Sequence, residues 1–216
     1  MNIRAAIYDH DADLQQGSPE WLRARLGHCT ASRVKDALSV LKNGAPAQAA
    51  EDYMLELVCE RLTGTFTETF VSAAMQWGTE HEPEARELYS FSVSDVVQQV
   101  GILHHPTIDW FAASPDGLVG DEGLVEIKCP TSKKHIRWFI DGVVPEEHKL
   151  QMLAQMSCSG RNWCDFVSFD PRMPDHLRMF VVKYVPVDDD ILQMEEKVQA
   201  FLDGVQAKYA LLAGEA

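Results

Sequence analysis

The stretch from Trp110 to Pro130 leaves a folded chain few choices. Trp110 to Ala113 and Leu124 to Ile127 are short apolar runs, with Gly117, Gly120 and Gly123 between them. Apolar runs separated by glycines read as two strands joined by a turn. Side chains alternate along a strand, so Glu126 and Lys128 point one way while Val125 and Ile127 point into the opposite layer. A hairpin also folds Asp116, at the end of the first run, back beside Glu126. Two carboxylates and one ammonium are thereby expected at one sheet edge.

Two carboxylates about 4 Å apart repel by roughly 1 kcal/mol in water and about 4 kcal/mol near a protein surface unless a cation lies between them. A divalent metal relieves that repulsion. Oxygen ligands without His or Cys in ligand spacing favour Mg²⁺ or Mn²⁺ over Zn²⁺. Such a metal lowers the pKa of a bound water and neutralises charge on a transferring phosphoryl group, and Lys128 stands where it can orient that water. The plainer alternative makes Glu126 and Lys128 a solvated ion pair on an edge strand and Asp116 a turn residue.

Pro115-Asp116, nine intervening residues and Glu126-Ile127-Lys128 resemble the PD-(D/E)xK nuclease superfamily. The likeness extends to one branch, the phage lambda-type exonucleases or YqaJ-like viral recombinase family. Its segments occur here in family order: Trp21 with Arg25-Leu26-Gly27, Thr30-Ala31-Ser32, Trp77-Gly78 with Glu82, Ser114-Pro115-Asp116-Gly117, Glu126 to Pro130, Gln151, and Asp170-Pro171-Arg172-Met173.

That resemblance implies an α/β fold with a restriction-endonuclease-like core, a central mixed sheet of about five strands flanked by helices. It implies a Mg²⁺-dependent 5′-to-3′ exonuclease on double-stranded DNA ends, with Mn²⁺ able to substitute, releasing mononucleotides and leaving 3′ single strands for phage-type recombination. Asp116, Glu126 and the backbone carbonyl of Ile127 are then the metal ligands. Lys128, Glu82 and Gln151 arrange the attacking water, Arg25, Ser32 and Ser114 hold the 5′-phosphate, and Met75 parts the terminal base pairs. The partners it implies are a single-strand annealing protein and two further copies of the chain in a toroidal homotrimer. A structure-selective or restriction-like endonuclease and a non-catalytic DNA-end binding module remain the alternatives.

A net charge of −14 opposes DNA binding if spread evenly, because phosphate contacts dominate DNA affinity. The bases, however, gather at Arg23, Arg25, Arg33 and Lys35 and again at Lys128, Lys133, Lys134 and Arg137, while acids crowd Asp188-Asp189-Asp190 and Glu195-Glu196. A basic interior behind an acidic exterior reconciles the two. The five cysteines are scattered without a CxxC pair, which predicts reduced thiols in a cytoplasm and excludes an iron–sulfur nuclease. The apolar run at the N-terminus is too short for a secretory signal, and no segment of about 18 apolar residues follows, so a soluble protein with no membrane contact is expected in a bacterial or phage-infected cell.

At 216 residues and 46% hydrophobic, the chain suits one nuclease domain. Residues 1–17 read as irregular. Ser18-Pro19-Glu20 opens a helix that stops near Gly27, and Thr30-Ala31-Ser32 opens a second with Val34, Ala37, Leu38 and Leu41 as its stripe. That second helix start, with Arg25 beside it, is suited to an anion. Further helices are predicted over 49–62, 72–91, 131–140 and from Pro145, and a long one over 188–212. Strands are predicted over 96–103, 163–169 and 177–185. Residues 65–70 read as loop or short strand. The pair His104-His105 lacks a third ligand in zinc spacing.

Overall fold

The computed structural model describes residues 10–66, 72–187 and 189–214. Helix α1 (Pro19–Arg25) starts at Ser18, whose hydroxyl accepts the Trp21 N–H at 3.1 Å. After β1 (Cys29–Thr30), a 3₁₀ turn over Ala31–Arg33 runs into α2 (Val34–Ala37). The helix predicted here is cut short. Val34 and Ala37 are buried, but Leu41 is 52% exposed because Val40 turns into a β-bridge with Pro46. Next come α3 (Gln48–Thr63) and α4 (Ala73–Val93); most of the predicted loop or strand between them lies outside the described residues.

The run predicted as one strand over 96–103 is two strands in different sheets, β2 (Val97–Gln98) and β3 (Leu103–His104). Between them Gly101 lies against the backbone of Asp11 and Leu14, too close for any side chain, and its N–H donates to Ala12 O at 2.7 Å. Of the segment expected to be irregular, residues 1–9 lie outside the described residues and the rest is pinned at that glycine, with a 3₁₀ turn over His10–Asp13.

The remaining elements are β4 (Phe111–Ala113), β5 (Gly117–Val119), β6 (Gly123–Lys128), α5 (Ser132–Asp141), α6 (Glu146–Ser159), β7 (Trp163–Phe169), β8 (Met179–Tyr184) and α7 (Asp190–Ala213). Five strands form a mixed sheet in the order β2-β5-β6-β7-β8, in which only β6 and β7 run parallel. The expected core is therefore present, with a three-stranded sheet, β1-β4-β3, beside it.

The hairpin differs from the expected one. Phe111–Ala113 pairs with β1 and β3 in the small sheet, and the arm that pairs with β6 is β5, with Gly117 opposite Val125. Ser114-Pro115-Asp116 is the crossing between the two sheets, where proline supplies no N–H to continue a ladder. Asp116 therefore stands at a junction rather than at the end of a hairpin arm.

Alternation in β6 divides the core. Leu124 joins Phe166, Met152 and the apolar faces of α3 and α7, while Val125 and Ile127 join Ala85 and Tyr89 of α4 on the other face. Helices thus cover both faces of the sheet, and each fully buried large side chain contributes about 1.5–3 kcal/mol. No helix among the described residues is long and apolar enough to cross a membrane.

Candidate active site

Strand β5 stops at Gly117, so β6 runs past its antiparallel neighbour after Val125. The Ile127 N–H, left without a ladder partner on that side, donates to Asp116 Oδ2 at 2.6 Å. In an extended strand the N–H and C=O of one residue point to the same side, so the Ile127 carbonyl faces the Asp116 side too. Gln16, from the segment read as irregular, donates to Pro115 O at 3.0 Å and Val100 O at 2.8 Å and braces the crossing from behind.

Glu126 is fully buried. Its Oε2 accepts from Gln155 Nε2 of α6 at 2.5 Å, and its Oε1 is in an ion pair with Lys128 Nζ. Burial works against the Lys128 charge, but Glu126 and Asp116 outweigh it and hold the ammonium pKa above its usual range. Lys128 stays charged at any working pH and acts by its field and as a donor, not as a resting base.

Glu82 arrives from α4, which is seated on the sheet by buried Ala85 and Tyr89; the Tyr89 hydroxyl donates to Asp165 Oδ2 at 2.7 Å. One step along, Arg86 pairs with Glu82 and donates from Nε to Asp116 O at 2.9 Å. Arg86, its side chain 13% exposed, thus clamps the crossing at Asp116 to α4.

Three carboxylates face two cationic side chains, and the residual repulsion is visible. Burial, then Glu126 and Glu82, raises the Asp116 pKa well above the carboxylate range. Burial also raises that of Glu82, with Arg86 pulling it back. Among the described residues no three His, Cys, Asp or Glu side chains converge as a ready ligand set. A cation that fits this donor set would be held by two carboxylates, a backbone carbonyl and water, all hard oxygens suited to Mg²⁺ or Mn²⁺.

Gln151 lies on α6, half-buried and one turn before Gln155, the glutamine that bonds Glu126. The i, i+4 step between the two was the signal for Gln155. His148, on the preceding turn, was also missed. Burial, then the Lys128 charge, lowers its pKa to about 4, so a neutral ring stacked on Phe166 stands behind the site.

The predicted anion site is assembled around Trp21. The Arg25 guanidinium lies 4.2 Å from the Trp21 ring centre, and the Trp21 Nε1 donates to Ser114 Oγ at 3.1 Å. Arg25 Nη2 approaches Thr30 Oγ1 at 3.5 Å, and Thr30 Oγ1 lies 3.4 Å from Ser32 Oγ. Burial lowers the Arg25 pKa, and Arg25 forms no salt bridge with any described carboxylate. Helix α3 fixes the turn behind it: Glu60 accepts the Gly27 N–H at 2.9 Å and Arg61 donates to Gly27 O at 3.0 Å, with Gly27 at φ +71°.

Met75 is 54% exposed on the first turn of α4. Seven residues separate it from Glu82, a rise of about 10 Å. Arg172, held by Asp170, lies 4.3 Å over the Trp77 ring and donates to Pro130 O at 3.2 Å, tying the start of α4 to the end of β6.

Comparison with known proteins places this geometry among relatives. The YqaJ-like viral recombinase domain matches residues 20–162, a span that includes every candidate site residue above except those near Asp170. An alkaline exonuclease from Laribacter hongkongensis is 46% identical, with a TM-score of 0.84 over 92% of this chain and 97% of its own. Its complex with dAMP superposes with a TM-score of 0.83 at 45% identity, over the same shares of the two chains. A phage-related exonuclease from Haemophilus somnus, 15% identical with a TM-score of 0.63 over 87% of this chain and 96% of its own, shares the fold. An uncharacterised protein of Acanthamoeba polyphaga mimivirus is 27% identical over 77% of this chain, which spans 31% of that protein's length.

Proposed function

This chain belongs to the YqaJ-like viral recombinase family, and from that premise we propose that it is a divalent-metal-dependent 5′-to-3′ exonuclease acting on double-stranded DNA ends. The observation that carries the reading is the meeting of Asp116 and Glu126 at the open edge of β6, beside a charged Lys128. Bound there, Mg²⁺ or Mn²⁺ would polarise the scissile phosphate and acidify a water.

The chain's own residues do the rest. Asp116, Glu126 and the Ile127 carbonyl hold the metal. Lys128 places positive charge where the phosphorane develops. Glu82, whose pKa burial raises above the ordinary carboxylate value, takes the water proton while Gln151 helps orient the water. Arg25, Ser32 and Ser114 hold the terminal 5′-phosphate, so that each cut falls one nucleotide in, and exposed Met75 parts the end pair. The products are then mononucleotides, a reading supported by the dAMP bound to the Laribacter relative. A toroidal homotrimer and a single-strand annealing partner, implied by the family, belong to the same proposal.

The test compares 5′-phosphorylated linear duplex with closed circular plasmid, each with Mg²⁺ or chelator. Resection of the linear form alone, only with metal, is the expected result. Cuts in the circle would instead identify an endonuclease, and end binding without turnover a recognition module. Replacing Arg25 by Ala is expected to lower kcat/KM by about 10²-fold on phosphorylated ends, the loss of a charge-assisted contact of about 1.5–3 kcal/mol, and much less on unphosphorylated ends. Equal losses on both would remove the pocket assignment.

A further inference from the structure

Many cationic side chains of this acidic chain are already engaged in ion pairs. Arg23 pairs with Glu20, Arg33 with Asp36 and Glu56, Lys149 with Glu146, Arg178 with Asp175 and Lys183 with Asp165. Lys133 and Arg137 of α5 differ. Both are exposed, neither forms an ion pair with a described residue, and they stand four residues apart on one helix face. They line a concavity of about 390 Å³ whose back wall is Trp138. Lys134, between them in sequence, lines the same concavity with its partner Glu147, at 2.6 Å, and lies 4.7 Å over the Trp138 ring.

Two placements give this ridge a direction. Helix α5 starts four residues after Lys128, so the Cα of Lys133 lies within about 18 Å of the Cα of Lys128. At 3.4 Å of rise per nucleotide, that is about five base pairs of duplex. On the other side, Lys35 of α2 is exposed and acts on the same Glu147 that Lys134 holds. Lys35 follows Ser32 by three residues, so the basic ground runs from the proposed 5′-phosphate pocket past Glu147 to α5.

We propose that Lys133 and Arg137, with Lys35, form a phosphate track that grips the backbone of the duplex within about five base pairs of the cut. The inference rests on the exonuclease reading and adds where the uncut duplex lies. Its chemistry is phosphate pairing without base contact, so it strengthens binding alike for all sequences. It also offers a local source of DNA affinity in a chain of net charge −14, because Lys133 and Arg137 are free to pair with phosphate.

The test uses the double variant Lys133→Gln/Arg137→Gln, with Lys149→Gln as a charge control on α6. Duplex binding is read by fluorescence anisotropy in chelator from 50 to 200 mM salt, and cleavage of long duplex in Mg²⁺. Losing two phosphate contacts is expected to flatten the slope of log K against log salt by about 1.8. At 150 mM salt, kcat/KM is expected to fall tenfold or more, through KM. An unchanged slope, or an equal change in Lys149→Gln, overturns the track while leaving the exonuclease reading intact. Loss of binding to poly-glutamate with unchanged DNA binding overturns it in favour of an acidic protein partner. A wild-type protein that neither binds nor cuts DNA ends removes the exonuclease reading and the track with it.

Discussion

Replacing Lys128 by Ala is expected to slow cleavage of linear duplex by about 10³-fold or more, the scale on which one preorganised donor to a developing oxyanion acts. Binding to phosphorylated ends should persist, because the Arg25, Ser32 and Ser114 cluster is built on other elements. The same change has a second signature. Glu126 is fully buried and its Oε1 has only the Lys128 ammonium as counter-charge among the described residues. Removing one partner of a buried pair costs about 3–5 kcal/mol, which in a chain of this size lowers the melting temperature by roughly 10 °C. Added Mn²⁺ should recover part of that loss, since a cation on the carboxylate replaces the missing charge. Lys128→Arg keeps the charge and is expected to keep the stability but not the rate. A Lys128→Ala enzyme with near-normal rates would remove its proposed role, and unchanged stability in chelator would show that Glu126 has another partner.

Asp116→Asn is expected to abolish cleavage and, in chelator at neutral pH, to raise the melting temperature above that of the wild type. The sign follows from linkage. Burial, Glu126 and Glu82 raise the Asp116 pKa in the folded state above the ordinary carboxylate value. As pH rises through that ordinary value the unfolded chain releases its proton first, so between the two pKa values the native state binds more protons and stability falls with pH. Above the raised pKa the full penalty remains. Asparagine does not ionise, and its amide oxygen can still accept the Ile127 N–H. A plot of melting temperature against pH should therefore be flatter for the variant through the range in which Asp116 titrates. Saturating Mg²⁺ or Mn²⁺, at about 100 times its Kd, should add about 2.7 kcal/mol to the wild type. That corresponds to roughly 5–10 °C, with little shift in the variant. Equal metal shifts in both proteins would mean that Asp116 is not a ligand.

The carboxylate crowding that drives this prediction also bears on working pH. Asp116 and Glu82 both hold their protons longer than ordinary carboxylates, so a metal competes better for the site as pH rises.

Much of this architecture was legible from local pattern. Alternation over Gly123–Lys128 put Glu126 and Lys128 on one face with Val125 and Ile127 on the other, as the two core clusters require. The strand Trp163–Phe169 was placed residue for residue. The long 3.6-residue stripe gave the last helix, observed as Asp190–Ala213, with Met194, Val198, Phe201, Leu202 and Val205 buried. The Ser18 cap gave the start of α1. Each of these follows from side-chain period or from a hydrogen bond closed within three residues, and such signals lie within a few positions of one another.

Other features could not be read that way. Phe111–Ala113 has the same apolar character whether it pairs with β6 or with β1, and only the competition among distant strands decided for β1 and β3. The roles of Arg86, Gln155 and Gln16 depend on bonds spanning 30, 29 and 99 residues. The chain alone determined which residues alternate, cap and turn, and hence that Glu126 and Lys128 share one face of a strand, because these are properties of backbone geometry. Tertiary structure alone decided which strand ends where, which long side chain reaches that strand, and how far the Asp116 carboxyl resists ionising, because burial and charge proximity are sums over neighbours that sequence order does not list.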